Sequence, residues 1–69
     1  MEYVAKLSDG DRTVYGYGAT DGAAVLDAVK AHGGEPSHTA RLTVYTEYSN
    51  GAVDVSYATT YVAYCVMVE

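Results

Sequence analysis

The chain predicts an α+β domain: an antiparallel sheet of four or five strands, in the order ββαββ or ββαβββ, with one helix packed on one face. Three observations carry this. Asp9-Gly10 and Asn50-Gly51 each sit between strand-like runs, and such dipeptides favour the type I′ turn of a hairpin. Between them, residues 21–32 place apolar side chains at spacings of three and four, and Gly33-Gly34 ends the run. A chain of 69 residues makes one domain, residues 1–69, and a single sheet under one helix is about what that length can bury.

In chain order, residues 2–7 and 12–17 form the first hairpin. With Asp9-Gly10 at the tip, Leu7 faces Arg12, Ala5 faces Val14 and Tyr3 faces Gly16, leaving Val4, Lys6, Thr13, Tyr15 and Tyr17 on the other face. Thr20 or Asp21 caps the helix, whose stripe is Val25, Leu26 and Val29 with Ala28 and His32 beside them. Pro36 is a second barrier beyond the glycines. Residues 39–48 alternate, with Ala40, Leu42, Val44 and Thr46 on the side that takes the helix and Arg41, Thr43, Tyr45 and Glu47 on the other. Asn50-Gly51 at the second tip opposes Val44 to Tyr57 and sets Glu47 directly across from Asp54, an unfavourable pair of like charges. Residues 61–68 are apolar on both faces and read as a buried strand, either a bent continuation or a separate fifth strand.

Nine acidic residues against four basic ones give a net charge of −5. Four scattered cations cannot build the basic patch that displaces counterions from phosphates, so nucleic acid and anionic membranes are disfavoured partners. A protein partner with a basic surface is favoured instead, although negative charge also simply keeps a small domain in solution. A lone cysteine excludes an internal disulfide and fits a cytoplasmic location, and no segment reads as a signal peptide or a membrane span. Small scaffolds usually need a staple, and self-association is the one left, so a homodimer covering the bare sheet face is expected.

No catalytic signature is present, and no cofactor or metal is expected. His32 and His38 with Glu35 span a helix end at no standard ligand spacing. Cys65 lies in an apolar run without a local partner, and Gly16-Tyr17-Gly18 lacks the third glycine of a nucleotide loop. The unusual feature is eight tyrosines with no phenylalanine or tryptophan. Tyrosine suits a half-buried strand, and it also offers rigid contact area with a polar tip. Tyr15, Tyr17 and Tyr45 fall on the face away from the helix, with Tyr64 a further candidate; these three tyrosines are the expected partner-binding anchors, with Glu47 and Asp54 supplying charge.

The order hairpin, helix, hairpin, carried by Thr13-Val-Tyr-Gly-Tyr17, the helix from Asp21 to Lys30, Leu42-Thr-Val-Tyr45 and Ser49-Asn-Gly-Ala-Val53, resembles small phage-encoded inhibitors of the anti-CRISPR kind. The resemblance is one of architecture. It implies a short, acidic, non-enzymatic inhibitor that blocks a nucleic-acid-binding defence complex by occupying its basic surface. Two other readings compete with it: a nucleic-acid-binding regulator that stacks bases on the sheet tyrosines, and a self-assembling structural subunit whose tyrosines are consumed by its own copies.

Overall fold

The computed structural model describes residues 2–68. The elements are β1 (Glu2–Asp9), β2 (Arg12–Gly18), α1 (Asp21–His32), β3 (Arg41–Glu47), β4 (Val53–Thr60) and α2 (Tyr61–Met67). The strands form one antiparallel sheet in the order β2-β1-β3-β4, so the first strand is internal and β2 and β4 are the edges. Placing β1 beside β3 joins the two hairpins, and the core forms where they meet: Ala5, Leu7, Leu42 and Val44 lie under Ala24, Val25 and Ala28 of α1.

Both hairpins turn differently from the type I′ expectation. In the first, the two loop residues are Gly10 and Asp11; Gly10 has φ 65° and Asp11 does not have positive φ, so only the first central position is left-handed, as in a II′ turn. The register therefore moves by two residues, to Leu7 opposite Val14 and Ala5 opposite Gly16, which keeps every side chain on its expected face. In the second, Gly51 N–H donates to the Tyr48 carbonyl at 3.0 Å and Tyr48 N–H to the Ala52 carbonyl at 2.9 Å. With Gly51 at φ 87°, the loop has three residues, a tight turn followed by a left-handed glycine.

The extra loop residue shifts the pairing by one. Glu47 consequently faces Val53, and Asp54 faces Thr46, so the expected Glu47–Asp54 opposition does not form. A bulge at Ser56 of β4, between the Val44 and Tyr45 pairs, leaves Val55 and Tyr57 opposing consecutive β3 residues and restores the expected pairing of Val44 with Tyr57.

The helix begins where Thr20 Oγ1 accepts from Ala23 N–H at 3.1 Å, and it ends where Gly33 N–H donates to the carbonyls of Val29 and Lys30. Its buried face is Ala24, Val25 and Ala28, with Val29 packed partly against the core, so the expected stripe holds except for Leu26, which is 58% exposed. The reason is the closeness of α1 to β2. A Cβ on Gly16 would stand 2.1 Å from the Ala28 nitrogen and 2.2 Å from the Ala24 oxygen, so only glycine below and alanine above allow the approach. Leu26 is too large for that seam and turns outward.

Residues 61–68 depart furthest from expectation. Instead of a buried strand they form α2, capped by Thr60 Oγ1 accepting from Ala63 N–H at 3.3 Å. Arg41, the first residue of β3, pairs with Thr60, so β4 has no further partner strand beyond that point. Tyr61 N–H instead donates to the Ala40 carbonyl at 2.8 Å and turns the chain over the sheet. The valine-rich composition favours strand, and the missing ladder overrides it. Tyr61, Tyr64 and Cys65 point inward, half-buried, while Val62, Val66, Met67 and Val68 are exposed.

Candidate functional site

The sheet face opposite the helices is read off the register. Residues directly across a ladder share a face, so Tyr17, Val4, Tyr45 and Val55 form one row spanning all four strands. Tyr15, Lys6 and Thr43 make the next row on one side, and Glu2, Glu47 and Val53 the next on the other. The expected anchors Tyr15, Tyr17 and Tyr45 are thus brought together on the face away from α1. Tyr15 is 44% and Tyr17 51% exposed, and Tyr45 is half-buried.

Val4 is only 1% exposed although no helix covers its side of the sheet. Its lateral neighbours on the ladder are Tyr17 and Tyr45, two large side chains on the same face, and that flanking accounts for its burial. The Tyr45 hydroxyl is held above the usual tyrosine range, first by burial and then by the charge of Glu47 and the proximity of Tyr15 and Tyr17.

Glu47 belongs to this face and Asp54 does not. Asp54 shares the helix side of the sheet with Thr46 and Tyr3, since Tyr3 packs against the core. The like-charge opposition expected in the second hairpin exists one ladder away, where Glu2 stands directly across from Glu47 on the central strands. Glu2 and Val55 were not legible as members of the site because each enters through the β1–β3 pairing or the bulge. Tyr64 lies on the other face, with its ring stacked on Tyr57 at 6.4 Å between centroids and 12° between planes. The Tyr57 hydroxyl is buried without a partner among the described residues, and burial foremost, then Asp21 and Tyr64, pushes its ionisation up.

Two further features flank the core. A groove of about 250 Å³ between the helices is lined by Gly22, Val25, Leu26, Val29, Tyr61 and Tyr64. At the other end, Asp9 ties the first hairpin to the loop after α1: it accepts from Ser37 Oγ at 2.6 Å and Ser37 N–H at 3.1 Å, and His32 Nε2 lies 3.0 Å from it. These contacts, Ser37 foremost, hold the Asp9 carboxyl below its ordinary range. Both ring nitrogens of His32 face acceptors, Asp9 and the Gly34 carbonyl, and Pro36 is buried beside this knot. The knot gives His32 a structural role at the helix end.

Among the described residues no group of three or more His, Cys, Asp or Glu side chains could hold a metal, and no helix is long and apolar enough to cross a membrane. Compared with protein-family models, curated proteins and solved structures, the chain matches none of them. The reading of the site therefore rests on its own geometry.

Proposed function

We propose that this protein is a small non-enzymatic inhibitor or regulator that binds the basic surface of a protein partner through its open sheet face. The observation that carries this is the Glu2–Glu47 opposition beside the Tyr17–Val4–Tyr45–Val55 row. Two carboxylates directly across a ladder repel each other, and a partner's lysine or arginine placed over them relieves the repulsion. The adjacent tyrosine rings add contact area and a face for cation–π attraction. The resemblance in element order to phage-encoded inhibitors extends the proposal to one class of target, a nucleic-acid-binding defence complex with an exposed basic surface.

The structure also selects the variants. Tyr17 and Tyr45 flank Val4, so removing them would disturb the fold; Tyr15 and Glu47 can be changed without exposing it. Immobilised wild type and the Tyr15→Ala/Glu47→Lys variant are incubated with host lysate. A protein retained at low salt by wild type and lost by the variant is the expected result. In the variant the introduced lysine faces Glu2, so its own stability should rise by about 0.2–1 kcal/mol from that pair. Equal retention by both proteins overturns this placement of the surface, and nucleic acid in the eluate instead would favour base stacking on the tyrosines.

A further inference from the structure

The two edges of the sheet are treated differently. On β2, the backbone N–H of Tyr17 donates to Asp27 Oδ2 of α1 at 2.9 Å, so the helix that packs over β2 also occupies part of its rim. Along β4 no comparable side chain caps the outer backbone among the described residues, and residues 53–56 and 58 are exposed. Natural sheets blunt a free edge with charge, proline, a bulge or a covering segment, and β4 uses only part of this set. The β4 edge carries a bulge and one charge, Asp54, and no proline.

Apolar side chains border this edge on both layers. On the open-face side Val53 is 56% and Val55 60% exposed. In the helix layer, Val62 and Val66 sit on the side of α2 opposite Tyr64, and Tyr64 lines the groove toward α1. They are therefore turned away from α1 and are 41% and 70% exposed. Of nine acidic and four basic residues, only Asp54 lies between 53 and 68. In a protein with net charge −5, the β4–α2 segment thus carries a single charge of its own, with Glu47 its acidic neighbour across from Val53.

We infer that this rim is occupied by a second copy of the same chain. Two β4 strands pair antiparallel about a two-fold axis perpendicular to the sheet, making one eight-stranded sheet with the α2 helices side by side on one face. Three features favour a second copy. Antiparallel pairing joins identical edges, so the surface is self-complementary under a two-fold. With a single charge between 53 and 68, two acidic copies meet little repulsion from the segment they share. The four valines, 41–70% exposed, supply part of the ~800 Å² per partner that a standard interface takes. The outer backbone of β4, with Met67 and Val68 at the end of α2, supplies the remainder. This arrangement differs from a dimer that covers the sheet face: the tyrosines of the open face stay free and are doubled across the two-fold, and only Val55 of that row enters the seam, so the inference goes beyond the proposed function without depending on it.

The test is the solution mass of the full chain by sedimentation and light scattering across the micromolar range, with Val55→Lys and Val66→Glu as variants. Wild type is expected at twice the 7.3 kDa chain mass and each variant at 7.3 kDa with an unchanged circular-dichroism spectrum. Tyr15→Ala/Glu47→Lys should remain dimeric. A wild type at 7.3 kDa throughout overturns the inference, as does a dimer that survives both edge variants. Amide exchange supplies a readout that needs no variant: protection along residues 53–60 should fall on dilution of the wild type, and concentration-independent exchange there counts against the pairing.

Discussion

Replacing Gly16 by alanine should be the most damaging single-methyl change in this protein. The added Cβ would meet the Ala28 nitrogen at 2.1 Å, the Ala24 oxygen at 2.2 Å and the Ala28 Cα at 2.7 Å, all of them backbone atoms that no rotamer change can move. Ordinary van der Waals contact begins near 3.4 Å, so α1 must retreat by more than an ångström. Overpacking of this kind costs about 1–3 kcal/mol. The retreat also strains the Tyr17–Asp27 hydrogen bond, worth about 1 kcal/mol, and loosens Ala24, Val25 and Ala28 from the sheet. A loss of about 3 kcal/mol is expected, against a total stability of roughly 3–10 kcal/mol for a chain this size. The melting temperature should fall by on the order of 10–20 °C.

Urea denaturation followed by far-ultraviolet circular dichroism measures the loss, with Gly22→Ala as the internal comparison. A Cβ on Gly22 meets nothing within 4 Å, and the residue lies inside α1, so that variant should gain about 0.5 kcal/mol. Opposite signs for two glycine-to-alanine changes separate close packing from helix propensity. A Gly16→Ala loss below about 1 kcal/mol would refute the tight seating of α1 on β2.

Two more predictions concern single polar groups, one buried and one tied down at the surface. Tyr57→Phe removes a hydroxyl that is buried without a partner among the described residues, so it should stabilise the fold by about 1 kcal/mol while keeping the stack on Tyr64; a destabilised variant would mean that the hydroxyl is satisfied. Asp9 has a folded ionisation below its ordinary 3.8, so the unfolded chain takes up the proton first; its contribution is complete above pH 3.8 and is lost as pH falls through the lower folded value. Asp9→Asn should flatten the acid limb of the stability–pH curve in that window, and an acid limb identical to wild type would show that the Ser37 contacts do not form.

Much of this architecture is local information. The capping threonine before α1, the glycines after it and the two glycine-bearing turns act within a few residues of themselves, which is why the order ββαββ and the bounds of α1 could be read directly. The period of two likewise placed Tyr15, Tyr17 and Tyr45 on one face, and a register error of two residues in the first hairpin left that assignment intact. An error of one residue in the second hairpin did not: a three-residue loop moved Asp54 to the helix side and released Glu47 from it.

Tertiary packing decided the rest. Whether 61–68 is strand or helix depended on the presence of a neighbour to complete a ladder, and pairing with the start of β3 ends at Thr60. Which helix residues are buried depended on how closely two backbones approach at Gly16, a distance no hydrophobic periodicity encodes. The site itself came from the pairing of β1 with β3, which set Tyr45 beside Val4 and Glu47 across from Glu2. The chain alone determined which side chains share a strand face; only the order of strands in space determined which of those faces touch, because ladder pairing is a long-range choice made by the core as a whole.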